Sequence, residues 1–279
     1  MKTTVIISIY NDVEALDLIL KSLNTQTDSS FDIVISEDCQ SKEIANYLKT
    51  YNMPIKLVHI NQPDNGWQKN IALNNAIRKS EGEYLIFLDG DIIPYSNFIQ
   101  NHRKLAEQNR FLSGRRVELG SFFSSLIRSK KLSYRFIEKF YLLLFPFLAL
   151  DKARHIEEGI YLKKDSYLEK KINRKKKKKM MLVGCNFSCF KKDLEKINGF
   201  DEDYLSPSVG EDVDLSWRFN YFGIRYKSVR YIANTFHLYH TRNWGDASEK
   251  NDKMMQEKIK KEQYICLNGL DKIKNGEVK

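Results

Sequence analysis

Three short stretches of this sequence bring metal-binding or proton-transferring side chains close together. In Asp89-Gly90-Asp91, two carboxylates one residue apart follow the apolar run Tyr84–Leu88 (YLIFL). Such a pair presents oxygens to a hard divalent cation, as metal–diphosphate chemistry needs, although D-G-D is also an ordinary turn sequence. In Gly210-Glu211-Asp212-Val213-Asp214-Leu215, three carboxylates occupy four residues at the start of a predicted helix. They either complement the helix dipole or offer one carboxylate as a general base toward an acceptor hydroxyl. His237-Leu238-Tyr239-His240 sets two of the chain's five histidines within four residues. A neutral imidazole at a strand end is a common metal ligand, and an isolated histidine is also a common surface or core residue.

The elements that must position these groups are legible from periodicity. Thr3–Ile9 (TTVIISI) reads as a short β-branched strand, and Val13, Leu16, Ile19, Leu20 and Leu23 recur at helical spacing after Asn11-Asp12. Phe31–Ser36 predicts a second strand ending in Glu37-Asp38, Ile44–Tyr51 a helix and Ile55–Ile60 a third strand. Gln68–Ser80 predicts a helix and Tyr84–Leu88 a fourth strand. Strands without inner polar alternation, separated by helices, predict the α/β class: a parallel sheet covered on both faces, with ligands at the carboxyl ends of its strands. Tyr10-Asn11, Glu37-Asp38 and Asp89–Asp91 stand at those ends. From about Phe111 the pattern changes. Phe122–Arg154 is aromatic and basic with helical spacing, and the cationic run Arg174–Lys179 (RKKKKK) repels itself and is expected to be a mobile loop. Regular structure resumes with a strand over Met181–Phe190, a short helix over Lys192–Asn198 ended by Gly199, a helix over Glu211–Tyr221 and a strand over Arg225–Ile232. The Lys/Glu-rich tail Glu249–Lys279 reads as a helix.

The 279 residues are 42% hydrophobic and 12% aromatic, enough to bury a sizeable core without disulfide or metal support. Cys39, Cys185, Cys189 and Cys266 show no C-x-x-C spacing, and Cys185 and Cys189 are expected as half-buried residues of one strand. A net charge of +10 suggests an anionic partner, and residues 103–179 alone hold 22 basic and 8 acidic side chains, so the basicity belongs to one segment. The N-terminus turns acidic after a brief apolar stretch, unlike a signal peptide, which predicts a cytoplasmic protein. The longest apolar run, Phe140–Leu150, is interrupted by Pro146 and falls short of the roughly 20 residues a spanning helix needs; it can lie on a bilayer but not cross one.

The succession SIYN (Ser8–Asn11), SED (Ser36–Asp38), DNGWQKNIALNNAI (Asp64–Ile77), YLIFLDGDIIP (Tyr84–Pro94), NGFDEDY (Asn198–Tyr204), GEDVDLSWR (Gly210–Arg218) and HLYH (His237–His240) resembles the glycosyltransferase family 2 proteins of the GT-A fold. The resemblance covers roughly residues 3–110 and 181–245, and the later half is similar to chondroitin-polymerase and β-1,4-galactosyltransferase catalytic domains. It implies a Rossmann-like, mostly parallel central sheet with helices on both faces, plus a helical basic insertion. Residues 1–110 would form the nucleotide-sugar-binding half, 111–180 the insertion, 181–245 the acceptor-binding and catalytic half, and 246–279 a helical tail.

The resemblance also implies roles. Tyr10 would pack on the base of a UDP-sugar, with Asn11 beside it, and Asp38 would accept from the uracil ring. Asp91 and His240 would hold Mn²⁺ or Mg²⁺, with Asp89 a further ligand or a contact to the ribose or a bridging water, joined to Asp91 through Gly90. Asp212 would be the catalytic base and Glu211 a contact to acceptor or donor sugar, giving transfer with inversion. Members often carry an Arg before the Asn of an A-R-N segment; here Leu73 precedes Asn74, so the diphosphate contact is assigned to Lys69. The galactosyltransferases' Trp-Gly-rich stretch before GED is replaced by Leu205–Val209, so donor-sugar and acceptor identities do not transfer. A carboxylate and imidazole ligand set leans towards Mn²⁺.

Residues 115–179 match no motif of the family. Arg128, Lys130, Lys131, Arg135 and Lys139 alternate with Phe122, Phe123, Leu126, Ile127, Phe136 and Ile137. An interfacial amphipathic helix requires that pattern, and helices packed on the catalytic domain with a solvated Lys face also produce it. An anionic membrane surface is therefore an expected partner. That suits an enzyme acting at the inner face of the cytoplasmic membrane on a lipid-linked oligosaccharide, lipopolysaccharide or capsule acceptor. A nucleotidyltransferase would need a Gly-rich phosphate loop that SIYNDVEA lacks. A nucleic-acid-binding protein would explain the charge, but no helix-turn-helix, zinc or RNP-like pattern is present, so no nucleic acid is expected. A non-catalytic scaffold built on the same domain is the remaining alternative.

Overall fold

A computed structural model describes residues 1–175, 182–207, 209–241 and 247–273. Four strands, β1 (Thr3–Ile9), β2 (Asp32–Glu37), β3 (Leu57–Asn61) and β4 (Tyr84–Asp89), pair in parallel in the order β3-β2-β1-β4. β1, β2 and β4 are buried along almost their whole length because both faces are covered, whereas the edge strand β3 is half-buried. Val5, Ile7 and Ile9 of β1 pack with Leu16, Ile19 and Leu20 of α1 (Val13–Asn24) and Ile44 of α2 (Lys42–Thr50). On the other face, Ile6 joins Leu73, Ala76 and Ile77 of α3 (Lys69–Lys79). The register pairs Ser8 with Asp89 and Ile9 with Glu37, so the three strand ends carrying polar residues open at one edge.

After β4 come β5 (Ile92–Pro94), α4 (Phe98–Leu105), β6 (Arg110–Ser113) and β7 (Val117–Glu118). Next are α5 (Ser121–Arg128), α6 (Tyr134–Lys139), α7 (Tyr141–Leu150), a 3-10 turn at Ile156–Gly159 and α8 (Tyr167–Lys175). The chain returns with β8 (Asn186–Phe190), α9 (Lys191–Lys196), α10 (Asp212–Tyr221), β9 (Arg225–Ser228), β10 (Thr235–His237) and α11 (Ala247–Lys260). Antiparallel β8 lies beside β4, and β6 and β9 complete a seven-stranded sheet in the order β3-β2-β1-β4-β8-β6-β9. A second, three-stranded sheet, β5-β10-β7, sits over a core that includes Phe123, Ile127, Tyr141, Leu148 and Phe236. The mostly parallel α/β architecture expected from the sequence is present.

Several local expectations are corrected. The strand expected over Met181–Phe190 begins only at Asn186, because Asn186 N donates to Val183 O (3.0 Å) in a turn; Met181 itself lies outside the described residues. Cys185 and Cys189 are fully buried rather than half-buried, and only Cys189 is in the strand. The strand expected over Arg225–Ile232 stops at Ser228, where Ala233 N bonds back to Val229 O (2.9 Å). The helical spacing of Phe122–Arg154 is realised as three short helices, α5 to α7. The cationic run starts inside α8, which reaches Lys175, while 176–179 lie outside the described residues. The tail's helix ends at Lys260; beyond it, Cys266 is buried and Leu270 N donates to Asn198 O (2.9 Å), so the tail folds back onto the loop after α9.

Candidate active site

A cleft of about 580 Å³ opens at the carboxyl ends of β1 and β4, and its walls include Tyr10, Asp38, Trp67, Lys69, Asp89 and Asp91. The D-G-D turn reaches it because Gly90 packs on the end of β1. A Cβ there would lie 2.8 Å from Ser8 O and 3.0 Å from Ile9 Cα. The turn sends its two carboxylates to different partners.

Asp91 faces the histidines. Antiparallel pairing of β10 with β5 sets His237 opposite Ile92, and Leu238 N donates to Asp91 O (3.0 Å). That pairing brings the Nε2 atoms of His237 and His240 each to 3.2 Å from Asp91 Oδ2. His240 Nδ1 donates to Thr241 O (3.1 Å), which orients the ring so that its Nε2 faces Asp91. Among the described residues, these three side chains are the group placed to hold a metal ion, with one ligand atom from each all within 4.8 Å of one another. Two ligand atoms each roughly 2.1 Å from a shared ion stand about 3 Å apart, so the spacing suits one. The other oxygen, Asp91 Oδ1, is buried and has no hydrogen-bond partner among the described residues. The donor set, one carboxylate and two imidazoles, suits Mn²⁺ better than Mg²⁺. Burial disfavours the Asp91 anion, but hydrogen bonds and charge from both imidazoles outweigh it and hold the carboxyl well below the usual range. His237 was not singled out as a ligand on the sequence, although HLYH contained it. On a regular strand, side chains three apart point to opposite faces, and β10 ends at His237, freeing His240 to turn back.

Asp89 stands apart from that group. Its Oδ1 accepts from Lys69 Nζ (2.6 Å), and the same ammonium donates to both oxygens of Glu211 (2.8 and 2.9 Å). Asp89 is therefore placed with a lysine and not with the ligands, and Lys69, assigned to diphosphate on the sequence, bridges two carboxylates. Burial opposes the Lys69 charge, but Asp89 and Glu211 outweigh it and raise the ammonium above its usual range. Burial is also the main reason the Glu211 carboxyl is pushed up to about 7, with Lys69 pulling it back toward ionisation. Gly184 makes room for Glu211, since a Cβ there would lie 2.4 Å from Glu211 Oε1. Asp212 opens α10 and accepts from Val213 N (2.9 Å), with no directly bonded cation among the described residues; burial raises its carboxyl above the ordinary value. The third acid of the motif, Asp214, is structural: buried, it accepts from Arg218 Nε (2.7 Å), while Arg218 also donates to Ile197 O and Gly199 O (both 2.8 Å).

The base-binding side is mixed. Asp38 is buried at the cleft, accepting from Gln62 Nε2 (2.7 Å) and Gln68 N (2.8 Å), and burial raises its carboxyl. Tyr10 is 59% exposed on the rim and donates to Asp64 Oδ2 (2.8 Å). Asn11 and Asn74 leave the expected set. Asn11 Oδ1 accepts from Ser41 Oγ (2.8 Å) at the start of α2. Asn74 is wholly buried, donating to Phe200 O and Glu202 Oε1 and accepting from Phe200 N, so it fastens α3 to the NGFDE loop. Arg128 was missed as a site residue. It comes from α5 of the basic insertion, lines the cleft, and grips Asp12 with both guanidinium nitrogens (3.0 and 2.8 Å). Its partner is distant in sequence, and no local signal marks the pair.

Comparison with known proteins identifies the family and the fold. The profile of glycosyl transferase family 2 matches residues 4–197, and that of the N-terminal domain of galactosyltransferase matches 169–241. A validoxylamine A glucosyltransferase of Streptomyces hygroscopicus subsp. jinggangensis is 22% identical over 79% of this chain and 52% of its own length. An uncharacterized glycosyltransferase of Haemophilus influenzae is 33% identical over 32% of this chain and 29% of its own. The chain thus spans about half or less of these relatives. Among solved structures, GalNAc-T7 with UDP, GalNAc and Mn²⁺ superposes with a TM-score of 0.61 at 15% identity, over 92% of this chain and 48% of that one. The Pyrobaculum calidifontis mannosyltransferase PcManGT, in complex with GDP-Man and Mn²⁺, gives 0.55 at 17% identity over 87% and 58%. The shared fold is GT-A.

Proposed function

The chain belongs to glycosyl transferase family 2, and from that premise we propose an inverting, divalent-metal-dependent transfer of a sugar from a UDP-sugar to a hydroxyl of a growing cell-surface glycan. The observation that carries this reading is the convergence of Asp91, His237 and His240, with Asp91 and His240 lining the cleft that also holds Asp38 and Lys69 and His237 buried behind them. A divalent ion held by Asp91, His237 and His240 would neutralise the charge that builds on a departing diphosphate.

The chain's own residues supply the rest. Asp38, fixed by Gln62 and the Gln68 amide, is the acceptor for a uracil N–H, and Tyr10 flanks the base from the rim. Lys69 is held by Asp89 and Glu211, and Arg128, at the cleft wall, reaches phosphate oxygens by exchanging its pair with Asp12 for them. Lys69 positions Asp89 and Glu211. Asp212 is the base: its raised affinity for a proton, with no cation bonded to it among the described residues, suits it to take the hydroxyl proton of the acceptor. The acceptor oxygen then forms its bond to C1 as the bond from C1 to the diphosphate breaks on the opposite face.

Thermal unfolding with UDP, GDP, CMP and dTDP, each with Mn²⁺ and with EDTA, tests the donor. A ligand at about 100 times its Kd adds roughly 2.7 kcal/mol. A shift with UDP only when metal is present supports the reading; a shift with GDP instead moves the donor class, and none with any nucleotide overturns it. Asp212→Asn should lower turnover by about 10²- to 10⁴-fold while keeping the UDP-dependent shift.

A further inference from the structure

We propose that α7 and the start of α5 form a docking surface for an anionic lipid bilayer, which goes beyond the transfer reaction and does not depend on its donor. The ten residues of α7 (YLLLFPFLAL) carry no charged side chain, and only Tyr141 and Leu148 are buried. Leu142, Leu143, Phe147 and Leu150 are 68%, 72%, 58% and 79% exposed, and Phe122 of α5 is 61% exposed. Between the helices runs a groove of about 530 Å³ walled by Phe122, Phe123, Leu144, Phe147 and Leu150.

This apolar face is built and held in place. Asp151, just after α7, accepts from Phe122 N (3.1 Å) and Phe123 N (2.9 Å) and so ties the end of one helix to the start of the other. Gly120 permits the contact, since a Cβ there would lie 1.9 Å from Asp151 O. Tyr141 Oη donates to Ile156 O (2.6 Å), anchoring the other end of α7.

The charge around the face selects its occupant. Seven of the eight exposed charged residues between 121 and 164 are basic, with Lys131, Lys139, Lys152 and Arg154 bracketing α7 in the chain. A bilayer with anionic headgroups satisfies both features at once, taking the leucines and phenylalanines into the acyl boundary and the lysines against phosphates. A second copy would set one basic rim against another. The surface is coupled to the cleft through α5, whose first turn walls the groove while Arg128 at its end lines the cleft and Ser124 Oγ accepts from Tyr239 N (2.8 Å).

Flotation of the full chain with vesicles of phosphatidylcholine alone, and of phosphatidylcholine and phosphatidylglycerol in equal parts, tests this, alongside the solution mass without lipid. We expect flotation with the anionic vesicles, weakened by salt. Leu143→Glu with Phe147→Glu should reduce it at least about tenfold, and Lys139→Glu with Lys152→Glu should erase the preference for anionic lipid. All four side chains are exposed, and each variant's melting temperature should match that of the parent protein. Failure to float with either vesicle overturns the proposal, as does a dimer without lipid that Leu143→Glu/Phe147→Glu dissociates.

Discussion

The two carboxylates of one D-G-D turn lie two residues apart and sit in opposite surroundings. Asp91 meets two imidazoles and keeps an oxygen without a partner, whereas Asp89 is taken up by Lys69, which also holds Glu211. A lysine brings its own full positive charge and completes the local balance. A pair of imidazoles brings lone pairs, and so leaves a place for a cation from solution. The same residue type at the end of the same strand therefore does two jobs, decided by what the rest of the chain folds against it.

That contrast can be broken most severely by exchanging which carboxylate is lost. Asp91→Asn should cut metal-dependent turnover roughly a thousandfold and abolish stabilisation by Mn²⁺. Asp89→Asn should retain the Mn²⁺ response. Equal loss of that response in both variants would erase the distinction. A smaller effect is expected from Lys69→Met, which leaves two partly buried carboxylates without their cation and should destabilise the fold by about 2–3 kcal/mol. Because Lys69 favours the ionised form of Glu211, its removal should also move that carboxyl further above about 7, a shift that infrared titration of the carboxyl band would detect. A downward shift would mean that Lys69 does not hold Glu211 in its ionised form. The smallest effect belongs to Arg128→Ala, which removes a half-exposed pair with Asp12 at a cost of about 1 kcal/mol in stability. It should weaken UDP binding in the presence of metal without moving the Mn²⁺ response alone.

The first half of the fold was legible because its strands are buried on both faces. TTVIISI and YLIFL contain few polar residues, and each ends in the polar residues that mark the cleft. The metal group was partly legible. Asp91 and His240 stood out by type, but His237 is recruited by the pairing of β10 with β5, a contact between segments far apart in the chain that no local period encodes. Asn74 was expected among the donor contacts through its place in the segment that resembles A-R-N, yet every polar atom of its side chain is spent on 200–202. The insertion's basic, aromatic pattern permitted both a packed and an interfacial reading, and the structure divides it between them. Arg128 and Arg135 turn inward, Arg135 onto Ser22 O and Thr25 Oγ1, while the uncharged α7 carries the outward apolar face.

The pairing of β10 with β5 also bears on how the protein folds. Asp91 precedes the whole insertion and His237 follows it, so a cation shared between them would close a ring through every element from β5 to β10. A chain that has built only its first four strands has no such ring, and its Asp91 would wait beside open solvent. Affinity for the ion should therefore appear late in folding, and once bound the ion should act as a cross-link over a long loop, whose closure entropy favours the native state most when the loop is large.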